Sequence, residues 1–341
     1  MNAKIPILEI HELDDFNKAH HKKAEVTKFI YDVSWKNQEH YTIQDYTART
    51  PQKIIEKDPN SPFRGLKIVE FNPTELCNRT CHFCPRHDPE VYPNLNLHLE
   101  PSTVQNVVDD LVKHNYRGQM MFSGFGEPLL NRKILECIKI CADAGFYVEL
   151  TTNGDKILQG KWYELQEFVD AGLSAIHVDI YDDTKQYLAW RRMLTKFKGK
   201  INYRITPRYV TTTPVFSSRA GSATHEGISQ GTSSKPCFVP SVKAFINWNG
   251  DLDLCCHDWQ REGGGFGNVN DKPFSEVWNS DGMNGIRSKL MTSARNIHGA
   301  PCDKCTTGGN SKDRNAVQSA WVEHYKNDKP EFYKGDVKRR R

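Results

Sequence analysis

The chain has 341 residues, of which 26% are charged, and its formal net charge at pH 7 is +4. This length is too great for a small disulfide scaffold, and so small a net charge gives no electrostatic reason to expect a nucleic-acid partner. No apolar run approaches the roughly 18 residues that a membrane span needs, and the N-terminus lacks the basic and apolar regions of a signal peptide. We therefore expect a cytoplasmic protein that binds neither nucleic acid nor a membrane.

Short apolar runs and amphipathic runs alternate through the middle of the chain, which predicts parallel β–α–β units. The five predicted strands are residues 66–71, 119–123, 146–152, 175–181 and 201–205. The predicted helices lie near 101–115, 129–144, 161–172 and 184–197. This alternation indicates an α/β sheet or barrel with fewer units than a full eight-fold barrel requires.

Two regions depart from the alternation. Residues 1–64 are polar and irregular, and from about residue 226 the chain becomes richer in Gly, Asn, Trp and Cys. A Ser-, Thr- and Gly-rich stretch at 216–236 forms the junction. We therefore predict four parts: an N-terminal extension (1–64), a barrel domain (65–225), a cysteine-rich domain (226–310) and a C-terminal tail (311–341).

Three cysteines follow the first predicted strand with the spacing C-x3-C-x2-C, namely Cys77, Cys81 and Cys84. In a reducing compartment, clustered cysteines are more often metal ligands or catalysts than disulfides. A loop of this kind can place three thiolates around one face of an iron–sulfur cluster, and the next cysteine along the chain is Cys137. Three ligands leave one iron open for another molecule, whereas a structural zinc site needs a fourth ligand.

Two further motifs lie at the ends of the second and third predicted strands, GFGEP at Gly124–Pro128 and TTNG at Thr151–Gly154. Together with the cysteine spacing and with Phe83 just before the last cysteine, they resemble the signature of the radical S-adenosylmethionine (SAM) enzymes. The resemblance implies a partial (β/α)6 TIM-type barrel over residues 65–225. It also places the reactive centre at the carboxyl ends of the strands.

The resemblance further implies the cofactors of the protein. Cys77, Cys81 and Cys84 would bind a 4Fe–4S cluster whose open iron chelates SAM, and an electron donor such as flavodoxin or ferredoxin would reduce it. Reductive cleavage of SAM would give a 5′-deoxyadenosyl radical that abstracts a hydrogen atom from the substrate. The residues implied in SAM binding are Phe83, Gly124, Gly126, Glu127, Pro128, Thr152, Asn153, Asp179 and Arg204. Glu127 as a helix cap, and Asp179 and Arg204 as ordinary strand residues, are alternative interpretations.

Cys137 and Cys141 have a simpler interpretation as core residues. Ile134, Cys137, Ile138 and Cys141 follow the i, i+3, i+4, i+7 stripe of an amphipathic helix, and Gly145 is suited to end it. Free cysteine behaves as a small apolar side chain, so this pattern predicts burial rather than metal binding.

A second cysteine set lies in the C-terminal third. Cys237, Gly250 and Cys255 have the spacing C-x12-G-x4-C, and the pair Cys302 and Cys305 follows much later. This pattern resembles the SPASM/twitch extension of radical SAM enzymes, and the segment INWNGDLDL predicts a β-hairpin that turns at Asn249-Gly250. The resemblance implies one auxiliary 4Fe–4S cluster bound by Cys237, Cys255, Cys302 and Cys305. A zinc knuckle with the same four thiolates is the alternative.

Cys256 is left over from this set. One hypothesis is that Cys256 donates a hydrogen atom to a substrate radical and is thus a catalytic residue. The alternatives are that it replaces Cys255 as a ligand or that it only packs. His257 and Asp258 follow directly, and the sequence does not decide whether they line the cavity or stabilise the hairpin.

Two substrate classes are compatible with this chemistry. The first is a ribosomally made peptide that is crosslinked, epimerised or excised, which is the commonest role of enzymes with the extension. Many enzymes with the extension carry an N-terminal winged helix that binds the leader peptide, for which residues 1–65 are too short and irregular. A separately encoded recognition partner would supply this function. The second is a small molecule, as in a sugar or aminoglycoside dehydrogenase or epimerase, and it predicts a closed polar cavity.

Overall fold

The computed structural model describes residues 61–63, 65–160, 162–208, 217–224, 228, 235–292 and 295–307. The C-terminal tail, nearly all of the N-terminal extension and most of the Ser-, Thr- and Gly-rich stretch lie outside these residues. Within the described part of the chain, no helix is both long and apolar enough to cross a membrane.

Seven strands form one open sheet with the order β5-β4-β3-β2-β1-β6-β7. The strands are β1 (Ile68–Phe71), β2 (Gln119–Phe122), β3 (Tyr147–Thr152), β4 (Ala175–Ile180), β5 (Asn202–Pro207), β6 (Lys243–Ile246) and β7 (Leu252–Asp253). Strands β1 to β5 are parallel and lie side by side in chain order, as the alternation predicts. The α/β partial-barrel prediction is therefore confirmed.

The sixth parallel strand comes from the cysteine-rich region. β6 pairs in parallel with β1, and β7 pairs with β6 in the antiparallel direction as the second strand of the predicted hairpin. Gly250 makes the turn with φ of +90°, where a Cβ atom would lie 2.4 Å from the Asn270 amide nitrogen. The pairing satisfies the backbone of β1 on both sides, so the cysteine-rich region continues the sheet of the barrel.

Eight α-helices are present in the described residues. Four of the five that lie between the first five strands match the predicted ones, and the short helix directly after β3 was not predicted. The eight helices are α1 (Pro101–Lys113), α2 (Ile134–Asp143), α3 (Asp155–Leu158), α4 (Leu165–Asp170), α5 (Thr184–Thr195), α6 (Val239–Val242), α7 (Phe274–Trp278) and α8 (Asp281–Thr292). The apolar sides of α1 and α2 pack in the same core as Val69, Phe71 and Phe122. Cys137 and Cys141 are fully buried in that core, which confirms their prediction as packing residues.

The other face of the sheet carries paired polar side chains. Successive side chains of a strand point to opposite faces, and the residues that alternate with the apolar row include Glu70, Gln119, Glu149 and Lys243, beside Met121 and Phe245. Lys243 Nζ lies 2.8 Å from Glu70 Oε2 across β6 and β1, and the Gln119 amide donates to Glu149 at 3.1 Å across β2 and β3. We call this surface the inner face. Charged groups on the inner face are therefore paired with groups on neighbouring strands rather than solvated.

Candidate active site

The three cysteines of the first cluster lie on the loop that follows β1. All three are free and half-buried, and the N–H of Cys84 donates to the carbonyl of Cys81 at 2.9 Å. Burial, with the neighbouring charges of Cys77 and Cys84, raises the pKa of the Cys81 thiol to about 12. Burial and the charge of Glu127 raise the pKa of Cys77 to about 12 as well. Metal binding at these thiols would therefore release protons, because only thiolates are ligands.

Charged and polar side chains fix this loop against the ends of β3 and β4. Arg79 donates to both carboxylate oxygens of Asp155, at 2.6 and 2.8 Å, and pairs with Asp182 at 2.7 Å. The Asn153 amide donates to the Asn78 side chain at 3.0 Å. Since Asn78 and Arg79 lie between Cys77 and Cys81, these bonds orient the loop that carries the thiols.

The GFGEP turn packs directly against the same loop. A Cβ atom on Gly126 would lie 2.2 Å from the carbonyl oxygen of Thr74 and 2.5 Å from that of Leu76. Gly124 has φ of +90°, a conformation that L-residues with side chains rarely adopt. The N–H of Glu127 donates to the Leu76 carbonyl at 2.7 Å. Both glycines thus allow the turn to pack closely against the chain that leads to Cys77, because a side chain at either position would meet Asn72, Thr74 or Leu76.

The Glu127 carboxylate joins the end of β2 to the end of β3. It is buried and accepts hydrogen bonds from the Leu129 N–H at 3.0 Å, from the Asn153 N–H at 2.8 Å and from the Thr152 hydroxyl. Burial raises its pKa to about 7, although these three donors act in the opposite direction. Glu127 therefore caps the 3-10 helix Pro128–Leu130, which agrees with the alternative interpretation, and it also positions Thr152 and Asn153.

The ends of β4 and β5 bring Asp179 close to a cation that the sequence interpretation missed. Arg208, not Arg204, lies 3.1 Å from Asp179, and His177 lies 3.3 Å from the other carboxylate oxygen. Burial opposes ionisation of Asp179, but His177 and Arg208 outweigh it and hold its pKa below the usual range. Arg204 is exposed, and its Nε lies 3.4 Å from Thr206.

Phe83 lies beside the end of β4. Its ring is stacked on the Tyr181 ring with centroids 6.1 Å apart, and the Arg79 guanidinium lies 5.1 Å from the same Tyr181 ring. Phe83, the GFGEP turn, Thr152, Asn153 and Asp179 therefore all lie at the carboxyl ends of the strands, around the cysteine loop. Arg204 lies on the strand β5 itself.

A buried ionic network connects the cysteine loop with the cysteine-rich region. Glu75 and Arg86 pair at 2.8 Å, and their side chains are 3% and 2% exposed. Arg86 also donates to the carbonyl of Phe125 at 2.7 Å, inside the GFGEP turn. Glu75 accepts further bonds from Tyr92 at 2.8 Å and from Arg261 at 3.1 Å. One carboxylate therefore holds together the loop and the segment that follows Cys255 and Cys256.

We expect Glu75→Gln to destabilise the protein by about 3–5 kcal/mol, because it leaves the buried Arg86 guanidinium without its carboxylate. The measurement is the free energy of urea unfolding of the reconstituted protein. Asp143→Asn is the control, since its ion pair with Lys139 is exposed and contributes little. Equal stabilities of the Glu75→Gln and Asp143→Asn proteins would contradict this assignment.

Four cysteines of the second set surround one cavity. Cys237, Cys255, Cys302 and Cys305 all line this small cavity, which is partly open to solvent. Burial raises the pKa of the Cys302 thiol to about 12 and also raises those of Cys237 and Cys255. The structure thus brings together the four residues that the spacing assigns to one auxiliary site, although residues 237 and 305 are far apart in the chain.

Cys256 points away from this cavity. It packs with Cys84 and Tyr92 against a cluster of Phe125, Phe245 and Trp259. Its thiol hydrogen-bonds to Glu70 on the inner face, and burial raises its pKa to about 12. Cys255 therefore lies at the auxiliary cavity while Cys256, the next residue, lies beside the first cysteine loop.

His257 and Asp258 have separate positions, which resolves an alternative that the sequence left open. His257 lines the auxiliary cavity, and burial, together with the charges of Arg219, Lys243 and Arg295, lowers its pKa to about 3. The buried Asp258 carboxylate accepts from the N–H groups of Glu262 and Gly263, both at 2.9 Å. Asp258 therefore stabilises the turn after the hairpin.

Family models match both cysteine regions. Residues 71–203 match the model of the Radical SAM superfamily, and residues 237–306 match SPASM, an iron–sulfur cluster-binding domain. The chain is a radical SAM protein with a SPASM domain. Both matched ranges lie inside the predicted barrel and cysteine-rich domains, whose outer boundaries stay predictions. The family accounts for SAM and 4Fe–4S clusters as cofactors, and three free thiols on one loop and four around one cavity fit two clusters.

Two curated relatives are similar to this radical SAM protein. The S-adenosyl-L-methionine-dependent 2-deoxy-scyllo-inosamine dehydrogenase of Niallia circulans is 21% identical over 67% of this chain and 89% of the relative. A probable GTP 3′,8-cyclase of Sulfurisphaera tokodaii is 26% identical over 36% of this chain and 37% of that protein. Among solved structures, BtrN in complex with AdoMet and 2-DOIA has a TM-score of 0.59 and 21% identity, and the match covers 71% of this chain and 94% of that one. This structural likeness supports the fold.

In the described part of the radical SAM protein, no three His, Cys, Asp or Glu side chains are grouped to hold a single metal ion. A 4Fe–4S cluster differs from such a site because each of its thiolates binds a separate iron. The sequence interpretation missed the residues that support the two cysteine groups, which are Glu75, Arg79, Arg86, Asp155, Arg208 and Arg295. Arg79 and Arg86 had a local signal, since both lie within the cysteine loop or just after it.

Proposed function

We propose that this protein is a radical SAM dehydrogenase that oxidises a hydroxyl-bearing carbon of a small polar molecule. One structural observation carries the proposal: Cys255 lines the auxiliary cavity, and the adjacent Cys256 contacts Glu70 on the inner face. An electron that leaves a substrate radical at the inner face would therefore have a short path to the auxiliary site. The similarity to a dehydrogenase over 89% of that relative's length supports the same reaction class.

The seven cysteines and the residues around the first loop have separate roles in this proposal. Cys77, Cys81 and Cys84 would hold the catalytic cluster, and Cys237, Cys255, Cys302 and Cys305 the auxiliary cluster. With an electron from a reduced flavodoxin or ferredoxin, the bound cofactors supply a 5′-deoxyadenosyl radical and an acceptor for one electron. The residues at the strand ends would position SAM, namely Phe83, Gly124, Gly126, Glu127, Pro128, Thr152, Asn153 and Asp179. Arg204 is exposed and is left out of this set.

The reaction balances as the removal of two hydrogens. Oxidation of a carbinol to a carbonyl removes a C–H hydrogen atom, an O–H proton and one electron; the bound SAM would supply the acceptor of the hydrogen atom, a side chain the acceptor of the proton, and the auxiliary cluster the acceptor of the electron. The resulting product is a carbonyl compound. We propose Glu70 as the group that accepts the proton. Burial opposes its ionisation, but Lys243 at 2.8 Å and the hydrogen bonds from Ser123 and Cys256 outweigh burial and lower its pKa.

The inner face is suited to a substrate with several hydroxyl or amino groups. Glu70, Glu149 and Asp179 are buried there, and each contacts a donor on a neighbouring strand or just beyond its end. Buried donors and acceptors bind a polar ligand with specificity because a mismatched ligand leaves them unpaired. The preference for a peptide substrate and a separate leader-binding partner stays a prediction, and the described residues offer no observation that favours it.

The decisive experiment uses anaerobically reconstituted protein, reduced flavodoxin and SAM with a panel of cyclitols and sugars that includes 2-deoxy-scyllo-inosamine. We expect one panel member to lose two hydrogen atoms, with one 5′-deoxyadenosine formed for each carbonyl product. Deuterium at the oxidised carbon should appear in 5′-deoxyadenosine. Turnover that gives a crosslinked or epimerised peptide, with no oxidation of any polyol, would contradict the proposal.

Cys256→Ala is expected to leave both clusters and SAM cleavage unchanged, because Cys256 lies outside the auxiliary cavity. A dehydrogenase needs no hydrogen donor, so carbonyl formation should also continue. Iron content and the yield of the carbonyl product give the measurement, with Cys141→Ala as a buried cysteine control. If the unsubstituted protein forms an epimer instead of a carbonyl compound, and Cys256→Ala abolishes that epimer while SAM is still cleaved, the hydrogen-donor hypothesis is supported and the dehydrogenase proposal is wrong.

A further inference from the structure

Arg295 is a buried cation at the auxiliary cavity. It begins the 3-10 helix Arg295–Ile297, is 1% exposed, and lines the cavity together with the four cysteines. Because the guanidinium group is buried, water does not solvate its charge, and the groups around it must compensate that charge instead.

The hydrogen bonds of Arg295 go to neutral acceptors and to one sulfur. Nη1 lies 3.3 Å from Cys305 Sγ and donates to the Thr307 hydroxyl at 2.9 Å. Nε donates to the Lys235 carbonyl at 3.1 Å, and Nη2 donates to the Thr307 carbonyl. No carboxylate lies within ion-pair distance of Arg295 among the described residues. Its positive charge is therefore directed at the sulfur-lined cavity.

The Arg295 side chain is close to the other three thiols as well. It lines the same cavity as Cys237, Cys255 and Cys302, and it contacts Cys305. A group of four thiolates with a bound cluster is anionic, and one more electron makes it more so.

We propose that Arg295 raises the reduction potential of the auxiliary cluster and so keeps it able to accept an electron from the substrate. This inference rests on the proposed ligand set of Cys237, Cys255, Cys302 and Cys305. A nearby cation and an N–H···S hydrogen bond both stabilise the more negative, reduced state of an iron–sulfur cluster. Arg295 is in this sense a positioning residue, because it acts on the substrate only through the cluster.

The test isolates the auxiliary cluster in a parent protein that carries Cys77→Ala, Cys81→Ala and Cys84→Ala. Arg295→Gln and Arg295→Lys are introduced into this parent, with Arg287→Lys as a matched control. Arg287 is also fully buried in the same domain, but it donates to the carbonyls of Pro240 and Trp278. Iron content is measured first, and the midpoint potential is then measured by a redox titration followed by electron paramagnetic resonance. Neither measurement needs substrate or turnover.

All loaded variants should retain about four irons per chain. We expect Arg295→Gln to disfavour reduction at least tenfold, which for one electron is a lowering of about 59 mV. Arg295→Lys should fall between this value and the parent, since it keeps the charge but loses the fork of donors. Arg287→Lys should have the potential of the parent.

A loaded Arg295→Gln protein with the parent potential would overturn the proposal and leave Arg295 a structural role. If Arg295→Gln does not load, Arg295→Met takes its place, and a loaded Arg295→Met protein with the parent potential would overturn the proposal equally. A parent that binds no 4Fe–4S cluster would instead contradict the ligand set itself. Because the titration is done without substrate, a failed dehydrogenase assay leaves the result on Arg295 unaffected.

Discussion

Replacement of Cys77, Cys81 and Cys84 together by alanine is expected to abolish SAM cleavage and to lower the iron content from about eight to about four per chain. The three thiols lie on one loop at the strand ends, and the GFGEP turn packs against the backbone just before them. The remaining iron should be held by the auxiliary site, which lies in a separate cavity. Iron analysis and the yield of 5′-deoxyadenosine give the two measurements.

The control for this prediction is the double variant Cys137→Ala and Cys141→Ala. These cysteines are fully buried between helix α2 and the sheet, so their loss should cost stability but no iron. A triple variant that keeps eight irons, or that still cleaves SAM, would refute the assignment of the first cluster to this loop.

Gly126→Ala is expected to lower SAM cleavage by about tenfold or more, since it strains the turn that packs against the cysteine loop. The added Cβ would lie 2.2 Å from the Thr74 carbonyl oxygen and 2.5 Å from the Leu76 carbonyl oxygen. Both obstacles are backbone atoms, so a side-chain rotation cannot relieve the contact. Overpacking of this kind costs about 1–3 kcal/mol, and here it displaces the residue just before Cys77.

Gly285→Ala provides the matched control for Gly126→Ala. Gly285 lies in helix α8, and a Cβ there would meet no atom within 4 Å. Alanine should therefore stabilise the helix by about 0.5–1 kcal/mol and leave SAM cleavage unchanged. Thermal unfolding and initial rates of 5′-deoxyadenosine formation distinguish the two substitutions. Equal rates for the two variants would show that the close approach at Gly126 has no role in the site.

The strands and helices of the barrel were predictable because local apolar periodicity determines them. Each of the first five predicted strands overlaps an observed one, and the hairpin turns at Asn249-Gly250 as expected. The position of β6 beside β1 could not be predicted in this way. That pairing joins residues about 175 apart, and a strand pattern does not specify its long-range partner.

The grouping of the cysteines on one loop and around one cavity was likewise predictable from spacing, whereas the residues that support these groups were not. The partners of Glu75 and Asp179 are arginines that are ordinary surface residues by composition, and Arg295 follows no motif. Only the folded structure shows that these charges are buried, because burial depends on which elements pack together. The sequence also could not decide which of Cys255 and Cys256 lies at the auxiliary cavity, because the two residues are adjacent. In the folded structure, Cys255 lines that cavity and Cys256 does not.

The strand β6 has a consequence for attempts to separate the catalytic half from the auxiliary half. In the full sheet, β1 lies between β2 and β6. A truncated protein that ends before β6 would therefore expose β1 as an unprotected edge strand. Such edges recruit other chains, so the shortened protein should aggregate rather than work as an autonomous module. The same pairing fixes the spacing between the two cysteine groups. Exchange of auxiliary halves between related enzymes would therefore succeed only if the donor half also supplies a strand that pairs with β1.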